Sequence, residues 1–540
     1  MVTSPRVSGS HWVRAERWLA ILGPAAVAAF VVGIIWPGLM PDVGYWDTGE
    51  FQTILPIMGT AHPTGYPTYV LLGWLVNLLL TPLGEPAFRI NVLSLLCVAV
   101  AAAGTVHLMV RLTGRMPIAM ATGAAVALGP ATWRLATHAD PHTLHLALVA
   151  ALLVVLVRWE QARKAEEASA DRWLVVASVV FGLSVGNHSL TLLLAVPVGL
   201  FVLSVQPGIL LRPRFAALCA LALFGTIAAV YLELPLRAGL FRAPLVYGKP
   251  ETWDGFWYIA LAEQFRGSLH DPLGELPRKF AELTKLASAE FGFLALLIPV
   301  AFLATVVRHW RYALLTGSAM LITVLFNASY TNADISRYYL GPSLWAWTWL
   351  AVLAAVIVEQ VAVSPVGAEA DVGAATGAET GAASRWSSGR PAAIAGPITT
   401  VVLAGLLLVP TAAGFRVRAE RADSSHDTAA RRWVTAVLAE VGPDAVIVSQ
   451  WATSTALWYA QYVDHLRPDV MVVDDRTRLD KNYGEPTDVI SLYLGSRPVY
   501  VIRANDYDLG KVLDVFDLAP IGGSSTTNVY RVTGLRGAGG

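Results

Sequence analysis

Two carboxylates and a histidine stand close together near the start of the chain, in Tyr45-Trp46-Asp47-Thr48-Gly49-Glu50-Phe51 and Ala61-His62-Pro63-Thr64-Gly65-Tyr66-Pro67. Asp47 and Glu50, three residues apart, can share one helical face or flank a turn. A carboxylate so placed suits removal of a proton from an attacking hydroxyl. The same pair also reads as a capping box, with Asp47 as N-cap and Glu50 at the third helical position. His62 adds a group able to bond a phosphate or hold a carboxylate. Pro67 fits the first turn of a helix, where its missing N–H costs nothing. Such a cluster at a membrane surface points to a reaction centre for a lipid-borne substrate.

Further polar residues recur between apolar runs. Asp140 and His142 lie in Ala136-Thr137-His138-Ala139-Asp140-Pro141-His142, with His145 one turn further on. Aspartate with several histidines raises metal ligation. No tight ligand spacing recurs, so no structural metal is expected, although a loosely held divalent cation beside a phosphate stays open. The plainer reading is helix capping by Asp140. Asn187-His188 interrupts two apolar runs, each short for a crossing. Polar residues at a broken span often line a substrate site, or else bond a neighbouring helix. Arg237 and Arg337 suit bidentate contact with phosphate oxygens, against a competing role as residues that snorkel to headgroups. Asp334 and Arg337 can pair across one helical turn. Asp474-Asp475 closes an expected strand, where most such pairs merely solvate a loop.

The elements that must carry these groups are membrane spans. Of 540 residues, 55% are hydrophobic and 14% charged, against about 25% charged in soluble domains. The chain reads as an integral membrane protein. Net charge is zero, which gives no pointer to nucleic acid. Cys97 and Cys219 lie in apolar spans and form no disulfide framework. Arg6, Arg14 and Arg17 flank the start of an apolar run from Trp18 to Met40 that reads as a retained signal anchor. Expected spans are 18–40, 89–110, 116–132, 142–158, 173–187, 189–206, 215–236, 290–307, 312–328, 340–363 and 393–414. The run 66–82 is also apolar. If it lies along the outer surface, the basic pairs Arg111/Arg115, Arg212/Arg214 and Arg308/Arg311 all fall inside, as the positive-inside rule asks. That choice gives about eleven spans, a cytoplasmic N-terminus and an outer C-terminus, in a bacterial plasma membrane. It also brings Asp47/Glu50/His62, His138/Asp140/His142, Asn187/His188, Arg237 and Asp334/Arg337 to one outer face, so a shared outer cavity is expected.

In the connection 237–289, Trp253, Phe256, Trp257, Ala260 and Leu261 share a helical face, as do Phe280, Leu283 and Ala287. Such helices lie in the membrane interface or pack on the protein. The domain plan is a membrane region over 1–363, a flexible cytoplasmic linker over 364–392, a last span over 393–414, and an outer α/β domain over 415–540. Within that last domain, helices are expected at 429–441, 453–465, 485–494 and 508–517. Strands are expected at 445–449, 470–474, 499–502 and 528–532, in a mostly parallel sheet. No phosphate-cradling glycine loop is present, so a nucleotide is not expected there.

The residues now assembled resemble a family. Tryptophan-aspartate with a nearby glutamate, then a His-Pro element opening an apolar helix, resembles the GT-C superfamily of membrane glycosyltransferases, protein O-mannosyltransferases included. The nearer resemblance is to a former family of unknown function whose animal members are transmembrane protein O-mannosyltransferases. It rests on Asp47-x-Gly49-Glu50, His62-Pro63-x-Gly65-Tyr66-Pro67, Phe181-Gly182-Leu183 with Asn187-His188, Leu234-Pro235-Leu236-Arg237, and Asp334 to Tyr339. Where that family usually has Glu-Val-Tyr, this chain has Asp140-Pro141-His142, keeping the acid and losing the aromatic. The resemblance implies a polytopic α-helical GT-C fold and a polyprenyl-phosphate sugar donor, with mannose the family's sugar. Transfer would go to a hydroxyl of a protein or glycan on the outer face, with inversion. It implies Asp47 as general base, with Glu50 as runner-up. Arg237, Arg337 and His188 would stabilise the departing phosphate. The competing class is a transporter or flippase of a lipid-linked or polar solute, favoured by Asn187-His188 and opposed by the lack of an internal repeat.

Overall fold

The computed structural model describes residues 10–271, 274–331, 334–363, 389–503, 506–523 and 528–537. Helices fill the membrane region: α1 (Ser10–Ile35), α2 (Trp46–Ile57), α3 (Pro67–Leu79), α4 (Pro86–Thr113), α5 (Met116–Ala127), α6 (Pro130–Ala136), α7 (Pro141–Lys164), α8 (Ala170–Asn187), α9 (Ala195–Val205), α10 (Pro213–Tyr231), α11 (Glu233–Ala238), α12 (Trp253–Ala260), α13 (Leu276–Phe291), α14 (Ile298–Arg308), α15 (Trp310–Ser329), α16 (Leu340–Val363) and α17 (Gly389–Ala422). Among the described residues, eight helical segments are long and apolar enough to cross a bilayer; 67–79, 116–127 and 189–205 are shorter apolar helices. The expected spans fall largely on helix, although Leu39–Met40 and Leu128–Gly129 lie outside helix in two of them and 173–187 is not among the long apolar segments; the chain is an integral membrane protein. Most of the expected linker, 364–388, lies outside the described residues, and α17 already runs from Gly389.

The chain ends of the helices define two faces. On one, Ser424 past the end of α17 donates to the Gly38 carbonyl past the end of α1 (2.9 Å), and Met40 donates to Thr137 (2.9 Å). On the other, Arg111 meets Gln161 (2.9 Å), Arg115 meets Thr400 (3.2 Å), and Arg311 reaches Glu160 and the Ser204 carbonyl. The basic residues that charge counting put inside thus gather on the face away from Asp47. Helix α3 starts and ends on the site face. Tyr66, just before it, lines the cavity described below. Ala87, in the first turn of the next helix α4, donates to the Tyr459 hydroxyl of the C-terminal domain (3.1 Å).

Buried amides knit the loops of the site face. Fully buried Gln52 accepts from Gly44 N (2.7 Å) and donates to Asn91 Oδ1 (2.9 Å). Asn91 in turn accepts from Ala139 N (2.9 Å) and donates to the Met40 carbonyl (2.8 Å). One amide pair therefore ties α2, α4 and the loops before α2 and α7, where water cannot satisfy backbone groups.

The C-terminal domain comprises α18 (Ala429–Glu440), β1 (Val446–Val448), α19 (Trp451–Tyr462), β2 (Met471–Val473), α20 (Asp475–Lys481), α21 (Pro486–Tyr493), β3 (Val499–Ile502), α22 (Asp506–Leu513), β4 (Phe516–Pro520) and β5 (Val529–Leu535). Among the described residues the sheet order is β2-β1-β3-β5-β4. β2, β1 and β3 are parallel, but β5 pairs antiparallel with both β3 and β4. The expected helix over 508–517 therefore ends at Leu513. The fully buried Phe516 opens a strand instead, because its ring fills the core under the sheet. The sheet is mixed where a mostly parallel one was expected. Val43 and Ala87 of the membrane region pack into this domain's core, and Arg431 ion-pairs with Asp42 (2.9 Å) and with Asp464.

Helices α2 and α19 pack tightly at Gly49. A Cβ on Gly49 would lie 2.3 Å from the Gly44 carbonyl oxygen and 2.8 Å from Thr455 Oγ1. Gly49→Ala should therefore lower stability by about 1–3 kcal/mol through overpacking, read as an earlier thermal melt in detergent. An unchanged melt would show that this contact is not tight.

Candidate functional site

Helix α2 begins at Trp46, with Tyr45 as N-cap and no side-chain cap, so the capping-box reading of Asp47 and Glu50 does not hold. The two acids, neighbours on one side of the helix, meet different surroundings. Asp47 faces a cavity of about 710 Å³ and accepts from Arg337 Nη1 at 2.7 Å. Glu50 is fully buried behind it. One of its oxygens accepts from the His62 backbone N–H (2.9 Å), and the other holds His62 Nδ1 (2.5 Å). The far side of that imidazole, Nε2, meets the Tyr66 hydroxyl at 3.3 Å.

Arg337 gathers the acids. Besides Asp47 it lies 3.8 Å from Asp140 Oδ2 and 3.6 Å from Asp334 Oδ2. Asp334 is further held by Arg134 at 2.5 Å. Asp140 caps α7: one oxygen accepts from the His142 backbone N–H (2.8 Å) and also contacts His142 Nδ1 (2.9 Å). His142 faces the cavity with His188, ring centroids 4.8 Å apart. Helix α8 stops at Asn187 and His188 turns extended (φ −158°, ψ 135°), its Nδ1 accepting from Leu190 N (3.1 Å). The break seen in the sequence thus aims one imidazole at the cavity. Tyr66 and Tyr338 flank His188, with ring centroids 5.4 and 6.0 Å away.

Of the ten expected site residues, Asp47, His62, His142, His188, Asp334 and Arg337 line the cavity. Glu50 and Asp140 stand behind His62 and His142. Asn187 is buried and donates to the Pro141 carbonyl (3.1 Å), fixing α8 to α7. Arg237 is elsewhere: its guanidinium donates to the Met58 (2.8 Å) and Ile57 (3.0 Å) carbonyls at the end of α2. Those carbonyls lack helical partners, and a cation at a helix C-terminus satisfies them. Among the described residues no group of three or more His, Cys, Asp and Glu side chains is arranged to hold a metal ion.

The sequence marks Leu261 only as part of an apolar helical face and Asp475 only as a strand-end acid, and it does not single out the other residues of the remaining wall. Leu261, Gln264, Phe265, Arg266 and Leu269 come from the connection 237–289, and Trp451, Asp475, Arg476 and Leu479 from the C-terminal domain. Trp451 sits over Trp46 and His62, ring centroids 6.2 and 5.6 Å away. The acidic pair Asp474-Asp475 is split: Asp474 caps α20 through Thr477 N (3.0 Å), and Asp475 reaches the cavity. No spacing or motif places these residues at the cavity, because the tertiary fold alone brings them there.

The pair Glu50–His62 has a definite electrostatic consequence. Burial by itself lowers the His62 pKa, but the charge and hydrogen bond of Glu50 outweigh it and hold the imidazole above its ordinary 6.5. A raised folded-state pKa contributes stability that is complete below 6.5 and is lost as pH rises through the raised value. The gap in melting temperature between wild type and His62→Gln should accordingly narrow as pH climbs from about 6 into the alkaline range. A gap that stays constant across that range would contradict the charged pair.

Comparisons with known proteins place these observations. Residues 47–208 match the family model described as the protein O-mannosyl-transferase TMEM260 N-terminal domain. The protein O-mannosyl-transferase TMEM260 of Mus musculus is 29% identical over 270 residues, covering 48% of this chain. The match spans about a third, 36%, of that relative's length. Among solved structures, ArnT from Cupriavidus metallidurans bound to undecaprenyl phosphate superposes with a TM-score of 0.57 at 14% identity, covering 97% of this chain and 98% of that one. The same enzyme in the apo state gives 0.58 at 13% identity, covering 96% and 98%. At that identity the likeness is one of fold. The chain is therefore a membrane protein of GT-C fold, similar to the TMEM260 protein O-mannosyl-transferases, with the family likeness concentrated in residues 47–208.

Proposed function

We propose that this protein is an inverting glycosyltransferase that moves a sugar from a polyprenyl-phosphate donor to a hydroxyl acceptor. The observation that carries the reading is the carboxylate of Asp47, open to the cavity and oriented by Arg337 at 2.7 Å. An acceptor hydroxyl gives its proton to that carboxylate while its oxygen attacks the anomeric carbon. The bond from that carbon to the donor phosphate breaks, and polyprenyl phosphate leaves with the electron pair. His142, His188 and Arg337 line the cavity where negative charge develops on the phosphate. Glu50 is the positioning residue for His62, and Asp140 the one for His142. Asp334 shares Arg337, and Asn187 holds the broken helix. Arg237, bonded to the end of α2, takes no part in this chemistry.

The family likeness to TMEM260 favours mannose as the sugar and a protein Ser/Thr hydroxyl as acceptor. The solved relative bound to undecaprenyl phosphate supports a lipid phosphate as the donor's carrier. Charge counting in the loops favours a cavity on the outer membrane face, with the N-terminus in the cytoplasm and the C-terminal domain outside.

The test is transfer of labelled mannose from polyprenyl-phosphate mannose in detergent, with membrane extract supplying acceptors. Asp47→Asn should cut transfer by roughly 10²–10⁴-fold at an unchanged melting temperature. Transfer that survives the substitution removes Asp47 as the base. No transfer or donor hydrolysis by wild type, with other polyprenyl-linked sugars also tried, would favour the transporter reading.

A further inference from the structure

A second cavity, of about 1140 Å³, lies beyond the segment Ile335–Tyr339. Among the described residues it shares no lining side chain with the first. The segment partitions them: Arg337 and Tyr338 line the first cavity, Ser336 and Tyr339 the second. Phe280, Leu283 and Ala287, the apolar stripe expected on α13, line it too, opposite Val409 and Val417 of α17. Its other neighbours border lipid: Val300 and Leu303 of α14 and Val401 and Leu406 of α17 are exposed. The space exceeds the roughly 300–1,000 Å³ of ordinary small-molecule sites. On α17 its lining runs from Val409 to Arg421, roughly 18 Å of helix. That is close to the ~15 Å hydrocarbon depth of one leaflet.

Charge gathers at one end of this space. Arg134, in the last turn of α6, and Arg421, in the last turn of α17, both line it. The two helix ends meet: Trp133 packs on Phe415 (ring centroids 5.2 Å), and Thr137 Oγ1 lies 3.3 Å from Ser424 Oγ. Arg134 is committed to Asp334 (2.5 Å) and Ser336 (3.2 Å). Arg418 donates to the carbonyls of Leu128, Ala289 and Glu290. Glu290, the acid in the lining, accepts from the Trp347 indole (2.9 Å). Arg421 is exposed and makes no hydrogen bond or ion pair among the described residues. The acids beside it are engaged, Glu420 by Arg416 (2.8 Å) and Asp423 by the Ser425 N–H (2.9 Å). We infer that this second cavity binds an anionic phospholipid, its acyl chains between α13 and α17 and its phosphodiester on Arg421.

Depth and charge select that occupant. An apolar slot one leaflet deep matches acyl chains, whereas an undecaprenyl chain is far longer than a leaflet. One unanswered guanidinium at the end of a span matches one phosphodiester, which it can bond through two N–H groups. The site stands apart from the proposed sugar transfer and does not depend on it. It does touch the acidic cluster from behind. Arg134, beside the lipid head, holds Asp334, which shares Arg337. A lipid in the cavity packs against Ser336 and Tyr339 and so buttresses the segment that carries Arg337.

The test is native mass spectrometry of the full-length protein in detergent. It is titrated with phosphatidylglycerol and with phosphatidylcholine of the same acyl chains. Wild type should bind one phosphatidylglycerol about tenfold more tightly than phosphatidylcholine, as a charge-assisted hydrogen bond allows. Arg421→Gln should bring the two affinities together, and Arg421→Lys should recover part of the preference. Arg416→Gln, which removes an exposed arginine outside the cavity, should leave the preference unchanged. Ala413→Phe, which fills the cavity from α17, should weaken both phospholipids together. Undecaprenyl phosphate at equal concentration should leave bound phosphatidylglycerol in place. No preference in wild type, or a preference that Arg421→Gln leaves intact, overturns the site. An equal loss in Arg416→Gln also overturns it, in favour of general surface charge. Displacement by undecaprenyl phosphate assigns the cavity to polyprenyl lipid and overturns the phospholipid. Should Arg421→Gln fail to fold, Ala413→Phe decides: phosphatidylglycerol bound at the wild-type affinity sinks the proposal. None of these readouts involves sugar transfer, so the proposed reaction stands or falls separately.

Discussion

One guanidinium holds the polar half of the cavity together. Arg337 lies within ion-pair reach of Asp47, Asp140 and Asp334, whose positions in the chain span almost three hundred residues. In partly buried surroundings a carboxylate stripped of its partner costs several kcal/mol, so each of these connections is drawn to the same point. The cluster has more acids than Arg337 alone can answer, and Arg134 on Asp334 supplies a second cation. The consequence for Asp47 is orientation: it faces the cavity, on a helix whose other acid is turned inward.

That division of labour between Asp47 and Glu50 follows from helical geometry. Three residues apart, the acids lie near each other on α2, yet one is at the rim of the cavity and one beneath it. Glu50 meets a histidine in the next loop and is consumed by it, through both oxygens. Its partner His62 then stands between Glu50 and the Tyr66 hydroxyl, which makes a chain of contacts from the core of the protein to the cavity wall. The amides of Gln52 and Asn91 do comparable work for the backbone, accepting and donating across four segments where water has no access.

The C-terminal domain is part of the site as well as a neighbour of it. Its helix α19 packs on α2 at a glycine, and membrane-region residues enter its core. Trp451, Asp475 and Arg476 consequently close the cavity from outside the helical bundle.

Much of this was legible from residue types. Apolar runs showed the spans, because length and hydropathy are set residue by residue against the bilayer thickness. The basic pairs sorted the loops onto two faces, and Asp47, His62, His142, His188, Asp334 and Arg337 were recognisable as polar groups that such a protein keeps for a reason. Arg237 shows the limit: an arginine at a helix end looks the same in sequence whether it faces a ligand or caps two carbonyls. Phe516 shows another, since its place beneath the sheet, and with it strand β4, depends on strands paired from elsewhere in the chain. Which acid faces the cavity, and that Trp451 and Arg476 close it, only the tertiary structure decided. Hydropathy and charge act locally and can be read along the chain; a side chain's partner across several hundred residues is set by packing, which no local pattern encodes.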